Sequence, residues 1–489
     1  MLRTEEEKQL RIFCGSIEDL MPKEHFLRDL EKYVDFRFIY DKVKDLYANK
    51  GRPSIDPVVI IKMLLIGYLY GIDSERKLEQ EIKINIAYKW FLGLELEDKV
   101  PDHSTISQLR RRKFKDTTVF EDIFDEIVRK SMEAGLVSGK MLLTDFTHVR
   151  ANARNDCSEV IEVPDTPSEY MKKLDKEALE IGLIKEPVKY DSNKTKLVIK
   201  STTDPECGIL NRPGKPKGFY YLSHQTCDAE NGIITDVIVT PANVNDCTVH
   251  TARLEKQIDK FGFKTESICA DAGYDNSEVY DAMLKRGIKT YIPKKSKPSE
   301  KANYTDDFRP EKFAYDSAGN FYICPVGKEL HYSCYNKKNR VKRYRAKKRD
   351  CLNCPLKQQC IGKSNHPRQI ERNMHEEARQ IQVKNINTPE YKIAMNLRRI
   401  WCEGNFAHQK ELHNLSRTRK RGIKNLTEQC LLSACALNLK RLVKYLKEHL
   451  FHPIKLKFFA VQLFLNSFFH VFCYFCQQLL KNIILHIKS

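Results

Sequence analysis

The chain has 489 residues, enough for several domains and more than one sizeable core. Lys and Arg number 84 against 65 Asp and Glu, a net charge of +19, which points to nucleic acid held in a salt-dependent way rather than to a small-molecule substrate. Sixteen cysteines would suit a secreted disulfide protein, but the polar, acidic start Met-Leu-Arg-Thr-Glu-Glu-Glu-Lys has no apolar signal segment, so a cytoplasmic protein with reduced thiols is expected.

Residues 1–135 read as a helical domain for DNA binding and assembly. Pro57 opens an apolar run from Val58 to Tyr68, with Asp56 as its N-cap and Gly71 past its end. Ser74 then precedes Lys77, Leu78, Glu81 and Ile82 at helical spacing. In Asp102-His-Ser-Thr-Ile-Ser-Gln-Leu-Arg-Arg-Arg, Ser104 is the expected cap of a short helix ending in Arg110, Arg111, Arg112 and Lys113. That segment resembles the second helix of a helix-turn-helix, which nominates Arg110, Arg111 and Arg112 as DNA contacts. Basic residues at a helix C-terminus equally suit the macrodipole.

From residue 139 the pattern changes to that of an α/β core, whose first part spans 136–294. Met141–Phe146 reads as a buried strand, with Phe219–Thr226 and Ile233–Val239 as two more, joined by a turn of hairpin composition at 228–232. Asp246 is the expected cap of a helix running to Phe261. A strand from Glu266 to Ala270, a helix over Ser277–Lys285 and a strand over Ile288–Ile292 follow. Residues 152–218 form a charged insertion in which nothing suggests chemistry.

Residues 295–385 read as a second insertion, basic and Cys-rich. Cys324, Cys351, Cys354 and Cys360 have the spacing of four thiolates around one structural Zn²⁺, with Cys334 as a substitute ligand and buried free thiols as the alternative. A small module with few large apolar residues would draw folding energy from such a site. Cations crowd here from Lys337 to Arg349, among them Lys342, Arg343 and Arg345, with Tyr332, Tyr335 and Tyr344 interleaved as for base or sugar contact. A second cluster comprises Arg417, Arg419, Lys420, Arg421 and Lys424; a solvated face is the alternative for both.

Core residues resume over 386–446 with an acidic helix and the helix after it. At 3.6 residues per turn, Arg399, Glu403 and Lys410 fall on one face, a carboxylate flanked by two phosphate-seeking cations. An ordinary Arg399–Glu403 ion pair on a solvated face is the alternative. The remaining 447–489 is an apolar tail: Phe458–Leu480 has no charged residue, yet its Gln, Asn, Ser and His residues argue against a membrane helix.

The order of strand with Asp145, two hairpin strands, helix, strand delivering Asp271, helix, strand and late helix with Glu403 is the layout of an RNase H-like α/β fold. Three such carboxylates suit a pair of divalent cations.

These residues together resemble the DDE transposases of bacterial insertion sequences. The resemblance rests on Pro-Asp-His-Ser-Thr-Ile-Ser at 101–107, Thr144-Asp145, Thr240-Pro-Ala-Asn-Val-Asn-Asp246, Asp271-Ala-Gly-Tyr274, the cysteine module, and Arg399, Glu403 and Lys410. One branch of that family carries Tyr-x-x-Arg-x-x-x-Glu-x-x-x-x-x-x-Lys on the acidic helix; here Asn396 stands where the Tyr would be. The resemblance implies that Asp145, Asp271 and Glu403 form the catalytic triad, holding two Mg²⁺ or Mn²⁺ with Asp145 bridging them. It implies that Arg399 and Lys410 grip DNA near the cleaved end. Water would first free a 3′-hydroxyl at the transposon end, and that hydroxyl would then attack target DNA. The implied partners are double-stranded DNA and a second copy of the chain, with no membrane. His148 reads as a packing residue, Asn243 as a turn residue and Trp401 as core. Two rival functions stay open at this point: a nuclease of the same chemistry without strand transfer, and a non-catalytic zinc-dependent DNA-binding protein.

Overall fold

The computed structural model describes residues 15–47, 54–166, 169–190, 194–211, 214, 217–244, 250–295, 305–386 and 388–449. The expected Asp246 cap and the apolar run 458–480 lie outside them. The chain is mixed α/β and its described residues divide into two compact units: 15–136 with 412–414 and 431–449, and 137–411 with 415–430.

The first unit is helical. Its central helix, Pro57–Leu69, is apolar almost all round, and most of its side chains are buried. Asp56 accepts a hydrogen bond from the Val58 amide at 2.8 Å, Pro57 occupies the first helical position, where no amide is needed, and Gly71 leaves with φ +66°. A Cβ at Gly71 would sit 3.1 Å from the Leu412 carbonyl oxygen, so both the backbone conformation and the space favour glycine. The helix Glu75–Ile84 begins at Ser74 as expected. For the helix His103–Arg112 the expected cap is corrected: Asp102, not Ser104, accepts from the Ser104 amide at 2.7 Å. An extended residue carrying a full negative charge at the positive end of the helix outcompetes a hydroxyl already inside the first turn.

Glu79 fastens this cap from the neighbouring helix. Lys83, 2.5 Å from one carboxylate oxygen, and the His103 amide, 2.9 Å from the other, lower its carboxyl to about 2. A carboxyl depressed below its ordinary 4.5 stabilises the fold above that pH and loses the contribution as pH falls toward 2. Melting temperatures measured between pH 5 and pH 2 are therefore expected to fall more steeply for the wild type than for Glu79→Gln.

The helix over 423–449 is assigned by sequence to the core, but from Leu431 onward its residues belong to the first unit. Leu432, Ala436, Leu439, Leu442 and Val443 are buried there, and Lys447 reaches Asp29 at 2.9 Å.

The second unit is built on a sheet of β1 (Met141–Arg150), β4 (Gly208–Leu210), β5 (Gly218–Asp228), β6 (Ile234–Pro241), β7 (Ser267–Ala270) and β8 (Lys289–Tyr291), with the hairpin of β2 (Ser158–Pro164) and β3 (Thr195–Ser201) between β1 and β4 in the chain. The order is β4-β5-β1-β7-β8, with β6 on the same edge of β5 as β4. β1, β5 and β6 run antiparallel, whereas β1, β7 and β8 run parallel through the helices His250–Phe261 and Ser277–Lys285. β1 outruns the expected Met141–Phe146 because its pairing with β5 continues through Arg150↔Tyr220.

The Cys-rich segment forms a second antiparallel sheet of β9 (Ala314–Asp316), β10 (Phe321–Ile323), β11 (Glu329–Asn336), β12 (Val341–Ala346) and β13 (Gln369–Asn373). Phe308, Phe313, Tyr322, Leu330, Tyr344 and Ile370 give it a core of its own. The helix Glu376–Asn385 lies before the boundary drawn at 385 yet packs on the main sheet, where Gln382 donates to the Ile292 carbonyl at 2.8 Å.

Arg340, at the β11–β12 turn with φ +54°, enters the helix Glu169–Glu180 of the first insertion. Its guanidinium donates twice to Asp175, at 2.8 and 3.1 Å, and once to the Met171 carbonyl at 3.2 Å, and the Tyr190 hydroxyl adds a third donor to Asp175 at 2.8 Å. His375 lies 3.4 Å from Glu177 and 3.2 Å from Asp281. The charged 152–218 segment, chemically silent in sequence, is thus one half of a clamp between two insertions.

Candidate active site

Two of the three acids meet through strand register. Parallel pairing of β1 with β7 ends at Thr144↔Ala270, so the next residue on each strand, Asp145 and Asp271, emerges side by side. Asp145 is buried; Asp271 is half-buried and caps the short turn Ala272–Tyr274 by accepting from the Gly273 amide at 2.8 Å. Tyr274 is fully buried, its hydroxyl 3.3 Å from Nδ1 of His224 and its ring tilted 47° against that of His250 with ring centres 4.4 Å apart.

Glu403 arrives on the helical run that begins at Pro389 and ends at Leu412. The run is anchored along its length. Trp401 donates to the Ala229 carbonyl at 2.8 Å, Asn405 donates to Gly232 at 3.0 Å, and Cys402 lies 3.7 Å from Cys227. Gln409 and Gln225 exchange amide hydrogen bonds at 2.8 and 3.0 Å, and Gln225 is the residue that β5 pairs with Asp145.

The residues Arg399–Glu403 form a π-helical turn, and this changes the face predicted at 3.6 residues per turn. Residues five apart now align, so the cation beside Glu403 is Arg398. Its guanidinium lies 2.5 Å from Asp145 and 3.7 Å from Glu403. Arg399 is exposed and donates to Asn396 at 3.0 Å. Lys410 is half-buried on the same helix. Arg398 was missed because a uniform α-helix would turn it away from Glu403; the Arg-Arg doublet itself gives no sign of the inserted turn.

Burial raises the Asp145 carboxyl to about 6, the Arg398 guanidinium opposes that shift, and the negative charges of Asp271 and Glu403 add to it. The three acids therefore share one field, though Glu403 is 57% exposed. Among the described residues, the one group of three possible ligands that all lie within 4.8 Å of one another is Glu79, Asp102 and His103 at the helix cap. Asp145, Asp271 and Glu403 do not form such a group, and the Arg398 guanidinium lies between Asp145 and Glu403.

The other nominated residues scatter. Arg110 forms an ion pair with Glu75 and is largely covered, whereas Arg111 and Arg112 are exposed. In β12, Arg343 pairs with Glu371 at 2.8 Å, Arg345 bonds Gln369 at 3.1 Å and is exposed, and Lys342 is half-buried. Tyr344 is fully buried and bonds Asn320, and the Tyr335 hydroxyl is buried, so of the three interleaved tyrosines only Tyr332, 38% exposed, offers a surface ring. His148 packs edge-on to Phe146 and Tyr220, and Trp401, expected in the core, is half-buried and holds the helix through its bond to Ala229.

Cys324, Cys351, Cys354 and Cys360 line a single cavity of about 30 Å³. The Lys328 amide points at the Cys324 sulfur and the Arg368 amide at that of Cys351, each at 3.3 Å. Burial raises the Cys351 thiol and carries that of Cys360 to about 11. Cys334 is exposed on β11 and does not line the cavity.

Two family models match the chain: "Transposase domain (DUF772)" over residues 15–112 and "Transposase DDE domain" over residues 323–443. No curated protein matches. Solved structures with some likeness include a piggyBac transposase synaptic complex with hairpin DNA, at 10% identity and TM-score 0.33, over 86% of this chain and 73% of that one. A Mos1 transposase paired-end complex with left transposon end aligns at 10% identity and TM-score 0.16, over 52% of this chain and 64% of that one. A Mos1 mariner paired-end complex with Mn aligns at the same identity and score, over 56% and 70%.

Proposed function

We propose that this chain, a transposase of the DDE type by the two domain models it matches, cuts transposon ends and joins them to target DNA with Asp145, Asp271 and Glu403 as its catalytic acids. The observation that carries the assignment of these residues is the β1–β7 register, which sets Asp145 beside Asp271 under the helix that bears Glu403. Three antiparallel strands followed by two parallel ones, with the acids at the junction and on a late helix, support an RNase H-like core.

The donor set fits divalent cations. All three acids offer hard oxygen ligands, which suit Mg²⁺ or Mn²⁺, and burial holds the Asp145 carboxyl up at about 6, so a bound cation would favour its charged form. Such ions, when bound, stabilise charge on the attacking and leaving oxygens of a phosphodiester. The protein's part is positional. Strand register fixes the first two acids, and the Gln225–Gln409 pair with the Trp401 and Asn405 anchors fixes the height and rotation of the third. Arg399 and Lys410 are read as phosphate contacts along the same helix, and Arg111, Arg112, Lys342, Arg343 and Arg345 as backbone contacts elsewhere. Arg110 is better read as a structural partner of Glu75. Two ends handled together call for a homodimer on double-stranded DNA.

The test is a joining assay with duplexes carrying the inverted repeats that flank the coding region. Wild type should release a 3′-hydroxyl and join it to a plasmid in Mg²⁺, and Glu403→Gln should bind the ends without doing either. Cutting without joining would identify a nuclease, and an unaltered Glu403→Gln a binding protein.

The cysteine cavity supports one structural Zn²⁺. Four soft ligands line one cavity, although among the described residues no three of their sulfurs lie within 4.8 Å of one another, and backbone amides aim at the sulfurs of Cys324 and Cys351, the outer contacts that steady a thiolate. Metal analysis is expected to find about one zinc per chain, lost in Cys354→Ser. A strong chelator should lower the melting temperature of wild type more than that of the variant.

A further inference from the structure

Arg398 belongs to neither the motif on the acidic helix nor any ordinary structural ion pair. Its side chain and that of Asp145 are each 13% exposed, and its head spans from Asp145 at 2.5 Å to Glu403 at 3.7 Å. The remaining donor, Nε, is buried with no hydrogen-bond partner among the described residues. The Nε of Arg343 is likewise buried without a partner beside its Glu371 pair, so what sets Arg398 apart is that its guanidinium lies between two of the candidate acids. This one is satisfied on the carboxylate side only, and it reaches Glu403 because the π-helical turn advances the helix by one residue.

We propose that Arg398 is a resident stand-in cation that holds Asp145 and Glu403 in the metal-free protein and must be displaced before a divalent ion is bound. The inference rests on the reading of these acids as metal ligands and deepens it. The carboxylate oxygens that Arg398 occupies are those an ion would take, so the ion pair and the metal are alternatives. Every bound ion must therefore work against a formed charge pair. That competition weakens apparent metal affinity by the fraction of molecules in which the pair is closed. It also keeps a buried acid charged and the site folded before any ion arrives. Once released, a buried Arg with a free fork on the acidic helix is suited to a phosphate oxygen.

The test measures Mn²⁺ binding without DNA, by calorimetry and by loss of the free-ion electron paramagnetic resonance signal, on wild type, Arg398→Gln, Arg398→Lys and Asp145→Asn. Arg398→Gln is expected to bind Mn²⁺ at least ~10-fold more tightly than wild type, and to melt at a lower temperature in chelator with the difference abolished by saturating Mn²⁺. Arg398→Lys, a point charge that cannot fork between two carboxylates, should fall between them. Wild-type binding that Asp145→Asn abolishes, together with unchanged affinity in both folded Arg398 variants, would overturn the proposal and leave the metal reading standing. Should wild type bind no Mn²⁺, or Asp145→Asn bind it equally well, the metal reading falls and this inference with it. Far-UV circular dichroism checks that each variant is folded, and Arg398→Lys carries the comparison if Arg398→Gln is not.

Discussion

Asp145→Asn is expected to abolish strand transfer, by on the order of 10³-fold or more, while end binding stays within a few-fold of wild type. The asymmetry follows from position. Asp145 is buried in the middle of the central strand β1, whereas the cations nominated for the DNA backbone lie on other elements. Asparagine keeps the shape and one oxygen acceptor for Arg398, so the sheet should survive. A gel-shift titration beside a joining assay on the same preparation separates the two effects. Equal losses of binding and joining would mean that Asp145 supports the fold and not the reaction.

The second large effect concerns stability. Asp175→Ala is expected to destabilise the second unit by about 3–5 kcal/mol, the cost of leaving a buried charge without its partner. Arg340 would lose both of its short bonds to Asp175, with side chains that are now 13% and 4% exposed, and the Tyr190 hydroxyl would lose its acceptor. Denaturant melts measure the cost, and limited proteolysis locates it: new cleavage is expected first near Met171–Glu180 and in the β11–β12 turn. The double variant Asp175→Leu with Arg340→Met should recover much of the loss, because a pair removed together leaves no orphaned charge.

Strand order and the positions of the acids were legible because they rest on local pattern. Met141–Phe146 and Glu266–Ala270 are short apolar runs, the first containing Asp145 and the second followed by Asp271, and such runs give both the strand and the position of its acid. Capping at Asp56 was legible for the same reason. What escaped depends on partners far away in sequence. Nothing around Arg398 announces a π-helical turn, since that turn follows from anchors at Ala229, Gly232 and Gln225. Nothing in the charged stretch near Asp175 names Arg340, some 165 residues later, as its partner. Tyr344 resembled a surface ring because it sits among cations, but alternation along β12 turns it inward while Arg343 and Arg345 face out.

The first unit is assembled from both ends of the polypeptide. Leu432, Ala436, Leu439, Leu442 and Val443 fill it as fully as residues from the opening helices do. A ribosome therefore finishes the whole catalytic region before it makes the last piece this unit needs. Expressed as a fragment ending near residue 136, the opening helices would show a greasy seam to water and should clump or demand a supplied 431–449 peptide.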